Sequence, residues 1–183
     1  MSLLLTSFSP WKAHQVANAS DTLLGMLQQR ELLPKETKLI RQLPVHFQLA
    51  PGAVIAALYQ YRPQTVVCCG MAETRSLLNI ERYATGRSDR LETSIHLPSL
   101  CAGLEWTAIS HDAGSFVCNT LYHRLLAHIN EHRLTIQCLF IHVPPLASYN
   151  QEPVIQDIAV ILERLCNDHL TLGNLRSGVE CEA

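Results

Sequence analysis

The residues best suited to chemistry lie in the segment 110–123, SHDAGSFVCNTLYH, with Cys118 at its centre. After the loop glycine, apolar residues recur at every fourth position, which predicts one face of a helix that runs to about His132. These apolar positions are Val117, Leu121, Leu125 and Ile129. Cys118 would then lie in the first helical turn, where free backbone N–H groups and the helix dipole stabilise a thiolate. We interpret Cys118 as a candidate nucleophile, and the alternative is a structural cysteine that packs as a small apolar residue.

Two further segments carry residues that could work with a nucleophilic thiol. Glu81 follows apolar residues in 75–87, RSLLNIERYATGR, and His142 ends an apolar run in 138–144, CLFIHVP. A histidine can take the thiol proton, and a carboxylate can orient the imidazole. Each residue also has a structural explanation. His142 could be a strand-end histidine bonded to backbone, and Glu81 could be a surface carboxylate paired with Arg82 or another neighbour.

Together with the N-terminal LLLTSFSPW, these segments resemble pyroglutamyl peptidase I (pyrrolidone carboxyl peptidase), a family of cysteine peptidases. The resemblance runs from Leu3 to about Pro145. It implies Cys118 as the nucleophile, His142 as the base and Glu81 as the group that orients the base. It further implies an exopeptidase that acts on peptides with a blocked, pyroglutamyl N-terminus and assembles as a homo-oligomer. The implied reaction needs no cofactor.

The resemblance also implies a substrate-binding set. In the family an N-terminal loop supplies aromatic residues that pack on the lactam ring, and the matching positions here hold Phe8 and Trp11. Both side chains could instead anchor that loop to the core. Asn18 matches an Asn-Pro-Ser element of the family, with Ala19 in place of the proline.

Two departures from the family pattern concern specificity. Met71 stands where the family has a glutamine whose amide could recognise the lactam. The segment 82–117 is shorter than in typical members, so part of the pocket wall is missing. Two alternatives therefore stay open: a related Cys-His-Glu hydrolase for another small acyl or amide group, and a catalytically idle member that acts as a binding module.

Composition limits the class of protein. The chain has 183 residues, of which 48% are hydrophobic and 16% charged, as expected for one domain with a sizeable core. A net charge of −2 gives no basic surface for nucleic acid. No apolar run approaches the roughly 20 residues that a membrane span requires. No positive residue precedes Leu3, so we expect no signal peptide. Seven cysteines without regular spacing fit reduced thiols in the cytoplasm.

The order of predicted elements indicates the fold. Strands are predicted at 2–6, 37–45, 65–70, 79–87, 104–110 and 135–142. Helices are predicted from a Ser20 or Asp21 cap to residue 30, at 51–61, at 117–132 and at 153–169. Alternating strands and helices predict an α/β fold: a three-layer αβα sandwich with a mainly parallel (mixed) sheet in a single domain. We expect residues 1–173 to form one catalytic domain and residues 174–183 to form a polar tail.

The predicted strand ends indicate where a site would lie. Gly70, Ser110 and His142 each fall at or just after the end of a predicted strand. Open α/β sheets place their sites along that edge, where Cys118 would meet His142 if their strands are neighbours.

Three histidines on the predicted Cys118 helix are candidate metal ligands. His128 and His132 stand four apart, with His123 five residues earlier. A zinc site needs three or four ligands, and no third ligand follows in register. We therefore predict no metal and expect these histidines to face solvent.

Overall fold

A computed structural model describes residues 2–13 and 15–176, with side chains described as far as residue 167. These residues form an α/β fold of eight strands and five helices. The strands are β1 (Leu3–Phe8), β2 (Thr37–Leu43), β3 (Thr65–Met71), β4 (Leu78–Glu81), β5 (Tyr83–Thr85), β6 (Arg90–Glu92), β7 (Thr107–Ser110) and β8 (Gln137–Val143). The helices are α1 (Ala19–Gln29), α2 (Leu49–Tyr61), α3 (Leu97–Leu100), α4 (Val117–Glu131) and α5 (Gln151–Arg176).

Six of the strands form one mixed sheet in the order β2-β1-β3-β8-β4-β7. The pairs β1–β2, β1–β3 and β3–β8 are parallel, β8–β4 is antiparallel, and β4–β7 is parallel. The strands β1 and β3 and most of β8 are buried along their length, as expected for central strands covered on both faces. β5 and β6 form a separate two-stranded antiparallel hairpin.

The helices cover both faces of the sheet and produce two hydrophobic cores. Alternate residues of the central strands face opposite cores, because successive side chains of a strand project to opposite sides. One core contains Val67, Leu139 and Ile141 with residues of α1, α3 and α5. The other contains Val66, Cys138 and Phe140 with residues of α2 and α4. The predicted three-layer α/β architecture is therefore confirmed.

The predicted helices are present, with small corrections. The buried face predicted for α4 is confirmed. The cap of α1 is Asn18 rather than Ser20 or Asp21, because its side-chain oxygen accepts the Ser20 N–H at 3.1 Å. β1 extends beyond its predicted end, so Phe8 belongs to a strand and not to a loop.

The region between residues 79 and 110 differs most from the prediction. The single strand predicted at 79–87 is two strands, β4 and β5, in different sheets. β7 begins only at Thr107, and neither β6 nor α3 was predicted. Ser110 was placed at the same sheet edge as Gly70 and His142, which is wrong. Its strand, β7, runs antiparallel to β8, with β4 between them. Glu81 of β4 pairs with Ser110 on one side and with Phe140 on the other, so Ser110 lies level with Phe140.

The C-terminal part of the chain is helical further than predicted. α5 continues to Arg176, so residues 174–176 belong to this helix, and the remainder of the expected tail, 177–183, lies outside the described residues. No helix among the described residues combines the length and apolarity that crossing a bilayer would require.

Candidate active site

The nucleophile candidate lies in the first turn of α4. Phe116 precedes the helix with extended backbone (φ −99°, ψ −166°), and Val117 buries its side chain in the core of α2 and α4. Thr120 donates the first hydrogen bond along this helix, to the Phe116 carbonyl at 3.1 Å. The amides of residues 117–119 precede that bond and have no partner within the helix, as at every helix start. Cys118 thus lies beside backbone donors that can bind a developing oxyanion.

Gly70 of β3 determines where the Cys118 sulfur lies. A Cβ added at Gly70 would be 2.7 Å from Cys118 Sγ and 2.9 Å from Phe140 Cζ, so the sulfur rests directly against this strand. Gly70 pairs in register with His142 on the neighbouring strand, at a strand spacing of about 4.8 Å. Residues paired in this way project to the same face. The thiol and the imidazole therefore lie on one side of the sheet, and both line the same cavity.

His142 is held by a buried carboxylate. Its Nδ1 lies 2.7 Å from Glu81 Oε1, and the two side chains are 8% and 0% exposed. The Tyr122 hydroxyl donates to the backbone carbonyl of Glu81 at 3.0 Å, which fixes the end of β4. Glu81 is thus neither at the surface nor paired with Arg82, whose guanidinium lies 3.7 Å from Glu92. Because Nδ1 faces the carboxylate, Nε2 is the nitrogen left to exchange a proton with the thiol.

Burial dominates the acidity of the thiol. Removal of Cys118 from water raises its pKa to about 12, and the neighbouring Cys68 and Glu81 act in the same direction, while its backbone hydrogen bond acts against them. The expectation that the helix start makes this thiol acidic is therefore wrong for the unliganded protein. The two or three amides of a helix start do not compensate for the loss of solvation. Cys118 is a neutral thiol at neutral pH and needs a base to become a nucleophile.

A small cavity of about 120 Å³ opens above the Cys118 sulfur. It is lined by Cys118 and His142 together with all four residues expected to bind substrate: Phe8, Trp11, Asn18 and Met71. Phe8 is 2% exposed and belongs to the core, whereas Trp11 is 48% exposed at the rim. Trp11 packs on Phe116 with ring centroids 4.8 Å apart. The cavity is therefore mostly apolar, with polar groups restricted to a few positions.

Comparison with known proteins identifies the family. A family model described as pyroglutamyl peptidase matches residues 1–94 and 101–179, which is nearly the whole chain. The chain belongs to the pyroglutamyl peptidase family. A pyrrolidone-carboxylate peptidase of Gloeobacter violaceus is 27% identical over 209 aligned positions, which cover 94% of this chain and 100% of that relative. A pyrrolidone-carboxylate peptidase of Brevibacillus brevis is 27% identical over 79% of this chain and 78% of the relative.

Solved structures share the fold. Pyroglutamyl peptidase I of Bacillus amyloliquefaciens aligns with a TM-score of 0.74 at 20% identity, over 88% of this chain and 94% of that one. Pyrrolidone carboxyl peptidase of Thermococcus litoralis aligns with a TM-score of 0.75 at 17% identity, over 100% and 99% of the two chains. At this identity the likeness concerns the fold, and it confirms the predicted mainly parallel sheet.

Two residues at which this member departs from the pyroglutamyl peptidase pattern contact each other. The Ala19 N–H donates to Met71 Sδ at 3.3 Å, a bond that a proline at position 19 could not make. Asn18 is also engaged: its Oδ1 accepts from the Ser20 hydroxyl at 2.8 Å, and its Nδ2 donates to the Ser9 carbonyl at 3.2 Å. Asn18 and Met71 therefore fix the start of α1 against the cavity wall. A thioether cannot donate a hydrogen bond to a ligand.

Two structural residues of the site were not assigned a role from the sequence. Gly70 was recognised only as the end of a strand, although a glycine closing an apolar run is a visible signal for a close approach. Asn119 is 6% exposed, and its side chain bonds the N–H and the C=O of Thr85, each at 2.8 Å. No local sequence signal links Asn119 to Thr85, because the two residues are 34 positions apart.

The histidines of α4 do not all face solvent as predicted. His128 Nε2 lies 2.8 Å from the Tyr59 hydroxyl, and its ring packs on His132 with centroids 4.1 Å apart. Partial burial and the neighbouring His132 lower the pKa of His128. Among the described residues, no group of three or more His, Cys, Asp or Glu side chains is arranged to hold a metal ion.

Proposed function

We propose that this protein is a cysteine exopeptidase that hydrolyses the amide bond after an N-terminal pyroglutamyl residue, with Cys118 as nucleophile, His142 as base and Glu81 as the orienting carboxylate. The observation that carries the proposal is the position of Cys118 Sγ, which lies against Gly70 beside the His142–Glu81 pair. Membership of the pyroglutamyl peptidase family supports the same activity.

Proton transfer and attack occur together in the first step. Nε2 of His142 takes the thiol proton as the sulfur forms a bond to the pyroglutamyl carbonyl carbon, so a thiol with a pKa of about 12 need not ionise beforehand. Glu81 accepts the Nδ1–H and stabilises the imidazolium that forms. The free amides at the start of α4 bind the oxyanion.

The bond to the leaving peptide then breaks. The tetrahedral intermediate re-forms its carbonyl as the C–N bond breaks, and the imidazolium proton passes to the departing amine. The pyroglutamyl group remains as a thioester on Cys118. A water molecule that gives a proton to His142 attacks this thioester, and the thiol leaves as it regains a proton.

The cavity limits the size of the acyl group. An apolar cavity of about 150 Å³ holds a benzene ring, so about 120 Å³ suits a five-membered lactam. Pyroglutamate carries no ammonium group, and the mostly apolar lining with Phe8, Trp11 and Met71 matches such a neutral ring. We infer that Asn18, engaged by its cap bonds, contributes mainly shape here.

A second candidate substrate class follows from one observation. Met71 presents a thioether where an amide could recognise the lactam, so another small neutral acyl group remains a competing substrate. A third alternative, an idle binding module, would retain the cavity without turnover.

A substrate panel distinguishes these candidates. Fluorogenic amides of pyroglutamate, proline and acetate should be compared by kcat/KM. We expect the pyroglutamyl amide to be hydrolysed at least tenfold faster than the prolyl amide, whose ring nitrogen is charged and poorly accommodated in an apolar cavity. Faster hydrolysis of the acetyl amide would favour the second candidate. Binding of pyroglutamyl peptides without hydrolysis of any amide would favour the third.

We also propose a cytoplasmic location and a catalytic domain spanning residues 1–173. Six cysteines within the described part of the chain are free, which suits a reducing compartment. Assembly as a homo-oligomer stays a prediction from the resemblance.

A further inference from the structure

A second, larger groove adjoins the Cys118 cavity. Its volume is about 700 Å³, and Gly114 and Ser115 line both spaces. Arg124 of α4 and Arg87 of the turn between β5 and β6 also line this groove. A peptide whose pyroglutamyl ring fills the smaller cavity could continue directly into this groove.

The turn that carries Arg87 is fastened to α4 at two points. Asn119 bonds both backbone groups of Thr85, and His123 Nε2 lies 3.0 Å from Asp89 Oδ1. Within the turn, the Gly86 N–H donates to the Asp89 carbonyl at 2.8 Å. The backbone from which Arg87 projects is therefore held in place relative to α4.

The groove carries two positively charged side chains, Arg87 and Arg124. Both Arg87 and Arg124 are exposed, and among the described side chains neither guanidinium forms an ion pair. The acidic residue of the turn, Asp89, faces His123. Arg90 points to a different partner, with its guanidinium 4.1 Å from the Tyr83 ring centroid. Two unpaired guanidinium groups in one groove favour a carboxylate.

The spacing along α4 indicates which part of a substrate would reach these residues. Arg124 lies six positions after Cys118, or about 9 Å at a rise of about 1.5 Å per residue. At about 3.3 Å per residue, the second residue beyond the scissile bond of an extended peptide lies about 6.6 Å along this path, and a carboxylate that projects beyond that residue covers the remaining distance. We propose that the groove binds the leaving peptide and selects a carboxylate on that second residue. The carboxylate is either a side chain or, in a tripeptide, the free C-terminus.

This proposal rests on the proposed function and is tested with three peptides. They are pyroglutamyl-Ala-Glu amide, pyroglutamyl-Ala-Gln amide and pyroglutamyl-Ala-Gln with a free C-terminus. At low salt we expect kcat/KM roughly threefold to tenfold higher for a carboxylate peptide than for the neutral amide. The preference should shrink at 1 M salt, where exposed charges are screened. Comparing the first and third peptides shows whether the side chain or the C-terminus supplies the carboxylate.

Arginine variants show whether the preference comes from this groove. Arg124→Gln and Arg87→Gln should each bring the ratio of kcat/KM between the carboxylate and neutral peptides towards one. Arg62→Gln is the matched control, because Arg62 is an exposed arginine that directly follows the last residue of α2 and lines neither the cavity nor the groove. It should keep the wild-type ratio. Equal kcat/KM for all three peptides, or an unchanged ratio in both groove variants, would overturn the proposal.

Failure of the proposed function would be seen separately. If neither the peptides nor the fluorogenic pyroglutamyl amide is hydrolysed, the peptidase assignment fails. Calorimetric affinities of the three peptides for the Cys118→Ala protein then decide the groove proposal. Tighter binding of a carboxylate peptide supports it, and equal binding of all three peptides overturns it.

Discussion

At the scale of single residues, the proposed site depends on a thiol that is largely shielded from water rather than activated in advance. Packing against Gly70 shields most of Cys118 from water, and this burial raises the pKa of its thiol to about 12. The same contact places the sulfur beside His142, whose imidazole is oriented by Glu81. Burial thus opposes formation of a free thiolate, so the thiol proton has to pass to a base as the sulfur attacks.

The first prediction concerns Gly70. Gly70→Ala would place a methyl group 2.7 Å from Cys118 Sγ and 2.9 Å from a ring carbon of Phe140, so the sulfur must move. Because a displacement of about 1 Å can cost roughly a hundredfold in rate, we expect kcat for a pyroglutamyl amide to fall by about that factor. Steady-state kinetics of the purified variant measure this effect.

Gly52→Ala is the matched control for that prediction. Gly52 lies within α2, and an added Cβ there would meet nothing within 4 Å. This variant should keep wild-type kcat and unfold at the same or a slightly higher temperature, because alanine favours helix. Wild-type kcat in Gly70→Ala would show that the sulfur position is not set by this strand.

At the scale of elements, α4 connects the site to the β5–β6 hairpin. Residues at the start of this helix make separate contacts: Phe116, just before it, packs on Trp11, Cys118 faces the cavity, and Asn119 bonds the backbone of Thr85. One turn later His123 contacts Asp89 of the same hairpin. A two-stranded hairpin has little stability alone, so these contacts hold it.

The second prediction tests this connection. Asn119→Ala leaves the Thr85 N–H and C=O without their partner, and we expect a loss of about 1–3 kcal/mol in the free energy of unfolding. Hydrogen exchange of the amides of residues 83–92 should accelerate more than that of the central strands. Asn130→Ala, on the exposed face of the same helix, is the control and should change neither quantity. Unaltered hydrogen exchange in the hairpin of Asn119→Ala would contradict the role of Asn119 in holding the hairpin.

The regular elements could be predicted from the sequence, and the region 82–106 could not. The fourfold spacing of apolar residues in α4 and α5 gives a strong helical signal, and the continuous apolar run of β3 indicates a central strand. β6 and α3 are only 3 and 4 residues long, too short for a periodic pattern. The antiparallel direction of β4 against β8 depends on tertiary pairing, so no local sequence pattern could have predicted the position of Ser110.

The residues of the candidate site could also be predicted from the sequence, whereas their environment could not. Resemblance to the family selected Cys118, His142 and Glu81, and the structure brings them to one face of the sheet, although their roles stay predictions. The raised pKa of Cys118 could not be predicted, because it arises from burial against residues distant in the sequence. The contact between Ala19 and Met71 likewise needed the fold.

At the scale of the whole molecule, buried thiols make stability depend on alkaline pH. Cys68, Cys69 and Cys138 are buried, and the pKa of each is raised by burial, to about 12 for Cys68. Above pH 9 the unfolded chain releases thiol protons that the folded chain keeps. The free energy of unfolding therefore falls as pH rises from about 9 towards these raised pKa values. Below pH 9 both states keep their thiol protons, so the thiols do not make the free energy of unfolding depend on pH.

The third prediction gives the size of that effect. At about 1.4 kcal/mol per thiol per pH unit, these three buried thiols lower the free energy of unfolding by roughly 4 kcal/mol between pH 8 and pH 10, and the raised pKa values of Cys101 and Cys118 add to that loss. Urea denaturation in the presence of a reductant measures it. Cys69→Ala removes one titrating group and should reduce the pH-dependent loss by about 1.4 kcal/mol, whatever its effect at pH 8. A free energy of unfolding that is constant from pH 8 to pH 10 would contradict the prediction.

The most direct test of the catalytic assignment is hydrolysis of a fluorogenic pyroglutamyl amide by the Cys118→Ala protein. Cys166→Ala, which removes a half-buried thiol from α5, is the control and should keep wild-type turnover. We predict that Cys118→Ala folds, as judged by circular dichroism, and has no turnover above the uncatalysed rate. Retained hydrolysis in a Cys118→Ala preparation free of wild-type protein would contradict the assignment of Cys118 as nucleophile.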